Sequence, residues 1–334
     1  MKHPAKDLQK RVAVVGCKHT TEDLILGLNR YALRVDHVVT IAQDKAAEQQ
    51  VAGYKDLRPL LHSMGIPYTV ACKYSLQSDE DRRAVLALNV DMLLVMGWQR
   101  LIPDWWLEAL SIGAFGMHGS FKPLPHGRGR SPMNWSLLQG RTLFFTHLFQ
   151  YLPGVDDGPV VGQQMFELTP FDTCLTAHFK NQTAMLKLCV RLLPGLLDGT
   201  APRRPQPRDV QPSHWPKRTA EDGLIYWHDT TTEIYNLVRA VTKPFPGAFT
   251  YLHDDPAKKV IVWRAIPFDK LLDYGQHQHG EVVEAFYDGS FVVKTGDTTL
   301  LVLESEGHRV TAADVGARFG TLGIPRKTWP ELPP

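Results

Sequence analysis

Two residues able to do acid/base chemistry lie close together in the middle of the sequence. His118 stands in the run AFGMHGS of residues 114–120, and Asp156 stands in the run GVDDG of residues 154–158. An imidazole takes and returns a proton near neutral pH, and a neighbouring carboxylate fixes its tautomer and raises its basicity. The pair therefore indicates proton transfer, although each residue alone is more often structural, at a strand end or in a turn.

A basic, glycine-rich loop lies between these two residues. It reads GRGRSPMNW over residues 127–135 and places Arg128 and Arg130 between glycines. Forked guanidinium donors and exposed backbone amides suit a phosphate group, but loops of this composition are solvent-facing about as often. The loop is therefore a candidate site for an anionic part of a substrate.

Strand and helix patterns alternate through the residues that precede His118. The short apolar runs predict strands and the stretches between them predict helices, giving strands at 11–16, 35–42, 67–71 and 90–96 and helices at 20–31, 55–64, 79–88 and 103–110. This alternation predicts an α/β fold with a mainly parallel sheet. Further strands at 113–118 and 146–151 would end at the carboxyl edge of that sheet, where ligands bind, and would bring His118 near Asp156.

Composition and missing motifs exclude several classes of protein. The 334 residues are 43% hydrophobic with a formal net charge of +2, which suits about two domains and gives no general signature of polyanion binding. The first strand-to-helix turn has one glycine, so the dinucleotide motif G-x-G-x-x-G is absent, as are the ATP motif G-x-x-x-x-G-K-[ST] and the zinc motif H-E-x-x-H. We therefore expect no nicotinamide, flavin or metal.

The cysteines and the N-terminus indicate the compartment. The four cysteines form no C-x-x-C pair and are expected to be small buried thiols. The first residues contain no apolar segment of the kind that directs export, and no apolar run is long enough to span a bilayer. We therefore expect a cytoplasmic protein without a membrane partner.

A second, smaller domain is predicted after a Pro/Arg-rich connector. The connector, APRRPQPR at 201–208, has the composition of an extended linker, and an amphipathic helix follows at 230–241. Later apolar runs separated by turns predict strands at 260–265, 280–285, 290–295 and 299–303. These strands predict a small antiparallel β-barrel of the OB type, so we divide the chain into domains of residues 1–205 and 206–334.

Taken together, the motifs resemble those of the folate-dependent formyltransferases. That family has a strand ending in Asn-x-His-[Pro/Gly]-Ser, a loop with Arg-Gly and Pro, and a loop of the form Gly-[Leu/Val]-Asp-x-Gly; this chain has GMHGS at 116–120, RGRSP at 128–132 and GVDDG at 154–158. The runs GLIYW at 223–227 and VRAVTKPFPGAF at 238–249 look like the start of the C-terminal domain that two branches share. Those branches are the methionyl-tRNA formyltransferases and the enzymes that formylate nucleotide-linked amino sugars.

The resemblance implies a Rossmann-like catalytic domain and a specific reaction. The run GRGRSPMNW looks closest to the domain that acts on UDP-4-amino-4-deoxy-arabinose, which implies transfer of a formyl group from N10-formyltetrahydrofolate to the amine of a nucleotide-linked sugar. By this resemblance, His118 is expected to be the acid/base or oxyanion-facing imidazole, and Asp156 is expected to orient it. A homodimer is compatible with this family, and a tRNA acceptor is the alternative.

The resemblance also implies two sets of binding residues. The pterin of the folate would lie in a slot with apolar walls and backbone amides at its edge, formed by Met96, Trp98, Gln99, Leu101, Ile102, Leu152, Gly154 and Val155. The acceptor would contact Ser120, Arg128, Arg130 and Asn134.

One residue departs from the family pattern. Gly116 stands where the family has an asparagine, whose side chain is thought to hold the formyl oxygen as charge develops. Three interpretations follow. A water or a side chain such as Gln99, His126 or Asn134 replaces the donor, the extra room admits a different acyl group or a bulkier amine, or the site has lost its activity and only binds a sugar nucleotide or folate.

The charges near the second domain bear on the tRNA alternative. An OB-like barrel with the basic pairs Arg203-Arg204 and Lys217-Arg218 could hold an acceptor arm, whereas the same charges could simply be solvated. Glu221 and Asp222 follow the second pair directly and would dilute its positive field. The sequence therefore favours the amino sugar over the tRNA.

Overall fold

The computed structural model describes residues 10–49, 51 and 53–329. The helices are α1 (His19–Arg30), α2 (Gln43–Glu48), α3 (Arg58–Ser63), α4 (Asp79–Leu86), α5 (Asp104–Ala109), α6 (Pro132–Leu138), α7 (Cys174–Leu197) and α8 (Thr231–Val241). The strands are β1 (Val12–Val15), β2 (His37–Ile41), β3 (Tyr68–Ala71), β4 (Met92–Val95), β5 (Gly113–Ser120), β6 (Arg128–Gly129), β7 (Leu143–Gln150), β8 (Val160–Glu167), β9 (His214–Trp215), β10 (Ala248–Leu252), β11 (Lys259–Pro267), β12 (Val282–Ala285), β13 (Phe291–Lys294), β14 (Thr299–Gly307) and β15 (Phe319–Gly320).

A seven-stranded sheet forms the first domain, in the order β3-β2-β1-β4-β5-β7-β8. The pairs from β3 to β5 are parallel, and the β5–β7 and β7–β8 pairs are antiparallel. Every residue of β1, β2 and β4 is buried, because helices cover both faces of this part of the sheet. The predicted α/β fold with a mainly parallel sheet is confirmed.

The two faces of the sheet belong to separate hydrophobic cores. Phe115 of β5 packs with α1 and α7 in one core, and its neighbour Ala114 packs with Trp98 and Trp106 in the other. Because side chains alternate along a strand, Gly116 and His118 face the same side as Ala114. The alternation therefore places positions 114, 116 and 118 on the same face of the sheet.

The direction of β7 differs from the expectation that both predicted strands end at the carboxyl edge. His118 pairs with His147 in an antiparallel ladder, and the Tyr151 amide donates to the Ala114 carbonyl at 2.8 Å. The chain therefore leaves β7 at the opposite end of β5. The loop that carries Asp156 must fold back over the sheet to approach His118.

The smaller domain is a curled antiparallel sheet in the order β12-β13-β14-β11-β10-β15. Its two ends approach each other, because Val282 donates to the Ala317 carbonyl and Phe319 donates to the Gly280 carbonyl, each at 2.8 Å. The predicted antiparallel sheet of the second domain is thus confirmed, and it curls into a half-barrel. Its core is continuous with α6 and α7 of the first domain, through residues that include Met133 and Ala177.

The connector between the domains is extended, as its composition predicts, but it is also packed. Arg204 exchanges two backbone hydrogen bonds with Val160, of 2.8 and 2.9 Å. Farther along, β9 pairs in parallel with β6, so the connector becomes a second strand behind the basic loop. The composition does not reveal this packing, in which the backbone groups of the connector find partners on the catalytic domain.

None of the helices in the described residues is long and apolar enough to cross a bilayer.

Candidate active site

His118 stands between a carbonyl and a carboxylate. Its Nε2 is 2.7 Å from the Gly127 carbonyl oxygen, and its Nδ1 is 3.4 Å from Oδ2 of Asp156. A carbonyl only accepts, so Nε2 carries the proton and donates it to Gly127. Nδ1 of the neutral ring is then free to take a proton, and the resulting positive charge forms beside Asp156. The predicted pairing of His118 and Asp156 is present in the structure, and the ring is 8% exposed.

Asp156 is held by the backbone of the basic loop and by the connector. Its Oδ2 accepts from the Gly129 amide at 3.1 Å, and its φ of 51° lies in the left-handed region that aspartate tolerates better than most residues. The Gln206 amide donates to the carbonyls of Asp156 at 2.7 Å and Gly158 at 2.9 Å. Arg128 in turn donates to the Gln206 side-chain oxygen at 2.6 Å. Gln206 thus fixes the loop that positions the carboxylate, a role that no motif in the sequence indicates.

A cavity of about 510 Å³ opens beside His118 and Asp156. It is lined by the loop after β4, by α5 and by the loop after β7, including Trp98, Gln99, Arg100, Leu101, Ile102, Asp104, Leu107, Arg130, Phe149, Tyr151, Leu152, Gly154 and Val155. All the predicted pterin-slot residues except Met96 border this cavity. Met96 instead lies in the core, where its carbonyl accepts from the Thr21 hydroxyl at 2.6 Å.

Of the predicted acceptor residues, the structure brings Arg130 to the cavity and holds the others elsewhere. The Ser120 hydroxyl is buried and donates to the His126 carbonyl at 2.5 Å. Asn134 is also buried, and its amide donates to the Ala240 carbonyl at 2.6 Å. Arg128 is engaged by Gln206, as described above. These three residues shape the loop and the domain contact.

The space beside Gly116 is occupied. A Cβ at this position would lie well under 3.0 Å from Cε1, Cζ and the hydroxyl oxygen of Tyr151, which sits on the same face as His118. The expectation of extra room at Gly116 is therefore wrong. Among the side chains expected to replace the family's asparagine, Gln99 borders the cavity, whereas His126 and Asn134 do not.

Two cations lie near this edge of the sheet. Lys18 follows β1, and burial lowers its pKa to about 8, with the nearby positive charge of Arg130 acting in the same direction and the Cys17 thiol opposing it. In the described part of the chain, neither side chain has a carboxylate within ion-pair distance. An anionic group between them would relieve their repulsion, so this edge suits a phosphate.

The basic pairs near the second domain are partly engaged inside the molecule. Arg203 donates to the Ile112 carbonyl at 3.0 Å, and Arg218 donates to the Asp222 carbonyl at 2.6 Å. Arg218 also lies over the Trp135 ring, 4.9 Å from its centroid. These contacts hold both cations against the fold, while Arg203 remains exposed to solvent.

Across residues 10–49, 51 and 53–329, no group of three or more His, Cys, Asp or Glu side chains could hold an ion.

Comparisons with known proteins match the whole architecture. The family profile described as formyl transferase matches residues 10–192, and the profile for the formyl transferase C-terminal domain matches residues 217–318. The solved N-formyltransferase from Helicobacter canadensis, in complex with folinic acid and dTDP-3-aminofucose, is 15% identical with a TM-score of 0.62, and the match covers 89% of this chain and 100% of that one.

Two further structures share the fold. WlaRD, a sugar 3N-formyl transferase determined with dTDP and 5-N-formyl-THF, is 15% identical with a TM-score of 0.63, and the match covers 89% of this chain and 98% of WlaRD. HypX from Aquifex aeolicus, in complex with tetrahydrofolic acid, is 17% identical with a TM-score of 0.62 over 90% of this chain, which spans 45% of HypX.

Proposed function

The chain belongs to the formyl transferase family, and from this premise we propose that it moves a formyl group from N10-formyltetrahydrofolate to the amine of a nucleotide-linked amino sugar. The observation that carries the proposal is the His118–Asp156 pair at the mouth of a 510 Å³ cavity. An imidazole with one nitrogen free and a carboxylate beside it is suited to take a proton from an attacking amine.

The cavity fits a folate. Its walls are mainly apolar, and its volume lies in the range usual for small-molecule sites. Trp98, Gln99 and the backbone of residues 152–155 would hold the pterin.

The chain's own groups handle the proton. The amine nitrogen forms a bond to the formyl carbon, the bond from that carbon to N10 of the folate breaks, the amine loses one proton and N10 gains one. His118 takes the amine proton at Nδ1, and Asp156 stabilises the charged ring. The same imidazolium then supplies the proton for N10, so the enzyme returns to its starting state.

The acceptor is proposed to carry a diphosphate. Arg130 borders the cavity and is exposed, and Lys18 lies close enough to Arg130 for their positive charges to interact. Two similar structures were determined with dTDP or a dTDP-linked amino sugar, which supports the same class of acceptor here. We also propose that the protein works in the cytoplasm in surface-glycan synthesis, that its half-barrel is of the OB type, and that it forms a homodimer.

The test is release of tetrahydrofolate from N10-formyltetrahydrofolate with a panel of UDP- and dTDP-linked amino sugars, and with aminoacylated initiator tRNA alongside. We expect turnover with a sugar, abolished in His118→Asn and retained in the control His126→Asn, whose ring does not border the cavity. Turnover with the tRNA alone would show that the formyl acceptor is the tRNA and not a sugar nucleotide. Binding of sugar nucleotide or folate without any turnover would show a binding protein and overturn the proposal.

A further inference from the structure

Tyr151 stands where the family's asparagine is missing. Gly116 and His118 are two residues apart on one strand, so their side-chain positions are roughly 7 Å apart on one face. The atoms of Tyr151 nearest to a Cβ at position 116 include its hydroxyl oxygen, and Tyr151 and His118 line the same cavity. We propose that the Tyr151 hydroxyl donates a hydrogen bond to the formyl oxygen during transfer, a role that rests on the proposed function.

The Tyr151 hydroxyl is available as a donor. In the part of the chain that the structure describes, its ring packs against Phe149 with centroids 5.1 Å apart, and its hydroxyl makes no hydrogen bond. Burial raises its pKa well above the ordinary value, and the negative charge of Asp156 raises it further. The hydroxyl therefore keeps its proton at neutral pH and can donate it to an oxygen that gains negative charge.

Gly116 and Tyr151 depend on each other. Gly116 lies within β5 and is not among the residues with positive φ, so its backbone conformation does not demand glycine. The three atoms nearest to a Cβ at this position all belong to the Tyr151 side chain, which any side chain at position 116 would displace. The glycine is thus explained as the residue that admits a tyrosine donor in place of an asparagine. The chain thus keeps a hydrogen-bond donor for the formyl oxygen but takes it from Tyr151 instead of from an asparagine at position 116.

The first experiment removes the hydroxyl alone. In Tyr151→Phe we expect kcat to fall roughly a hundred- to thousand-fold with KM for the sugar nucleotide within about threefold, because a donor to the developing oxyanion acts mainly in the transition state. The control is Tyr251→Phe, since Tyr251 is also half-buried, also packs against a phenylalanine two residues before it and also lacks a hydroxyl partner among the described residues. A kcat for Tyr151→Phe within twofold of the control would overturn the inference.

A binding experiment separates this inference from the proposed function. The probes are 5,8-dideazafolate with and without a formyl group on N10. We expect the formylated probe to bind the wild-type protein more tightly than the other, and Tyr151→Phe to reduce that ratio at least threefold while the affinity for the unformylated probe stays constant. An unchanged ratio would overturn the role of Tyr151. If the wild-type protein binds neither probe, the proposed function fails instead.

An exchange of residues completes the test. Gly116→Asn alone should lose activity, because the new side chain collides with the Tyr151 ring. Gly116→Asn combined with Tyr151→Ala frees the space for the family's amide and should regain at least tenfold over Tyr151→Ala alone. The inference would be overturned if Gly116→Asn were as active as wild type, or if the double variant gained nothing over Tyr151→Ala.

Discussion

His147 makes the stability of the catalytic core depend on pH, in a direction that the hydrogen bonds determine. The ring is 1% exposed, its Nδ1 donates to the His118 carbonyl at 3.2 Å, and its Nε2 accepts from the Leu124 amide at 3.4 Å. A second proton would place two N–H groups against each other. Burial accordingly lowers the pKa of His147 to about 4; the hydrogen bond to the His118 carbonyl opposes this shift, and the electrostatic interaction with the His118 ring adds to it.

The size of the effect follows from the difference between the folded and unfolded pKa. The unfolded ring binds a proton near pH 6.5, whereas the folded ring binds one only near pH 4. Between these values the unfolded state holds more protons, so the free energy of unfolding rises with pH, and this contribution is lost as the pH falls. From pH 7.5 to pH 4.5 the loss due to His147 is about 2.5 kcal/mol.

The assay is urea unfolding followed by tryptophan fluorescence at several pH values from 7.5 to 4.5, on wild type and His147→Asn. Other groups also titrate in this range, and the comparison of wild type with the variant removes their contributions to the free energy of unfolding. We expect wild type to lose about 2–3 kcal/mol more than the variant over this interval, although the variant is less stable at pH 7.5. Two curves that stay parallel in pH would refute the reasoning, since they would show that His147 is protonated equally in both states.

Three further changes test other contacts. Gln206→Ala releases the Asp156 loop and should lower kcat about 10- to 100-fold in steady-state assays, because a small displacement of the pair is costly; an unchanged kcat would contradict the positioning role. Asn134→Ala removes the hydrogen bond to Ala240 and should lower the free energy of unfolding by about 1–3 kcal/mol in urea titrations. It should leave KM for the acceptor unchanged, and an increase would restore Asn134 to the substrate site. Lys18→Met should raise KM for a diphosphate-bearing acceptor at pH 7 but have little effect near pH 9.5, where the wild-type amine, with its pKa of about 8, is mostly neutral; equal effects at both pH values would argue against an ionic contact.

The sequence predicts the parallel half of the sheet and the acid/base pair well, for physical reasons. Strands β1 and β4 are covered on both faces, so they appear as unbroken apolar runs that follow a charged residue and end at a glycine. His118 and Asp156 lie in short motifs whose residue types suit one chemistry. Their proximity was therefore foreseeable, although the path of the chain between them was not.

The residues that the sequence did not reveal depend on distant partners. Tyr151 reaches Gly116 because β7 runs antiparallel to β5, and a short apolar run does not specify its direction. Gln206 contacts the loop of Asp156 from the Pro/Arg-rich connector, whose composition is that of an extended linker. Asn134 lies in the basic-loop motif and was expected to bind substrate, yet its amide donates a hydrogen bond to the carbonyl of Ala240 in the other domain. In each case tertiary contact decides the role.

The packed connector limits the modularity of this protein. The connector supplies Gln206 to the Asp156 loop, and the residues that follow it supply a Ser213 hydroxyl that accepts from the Gly127 amide at 2.9 Å and Trp215, whose ring stacks on Trp135 at 5.6 Å. A truncation after residue 205 would keep every catalytic motif and lose all three supports. A transplantable catalytic unit has to extend at least through residue 216, so an excised fragment or a fusion joined at the apparent boundary would inherit the chemistry without the scaffold that aligns it.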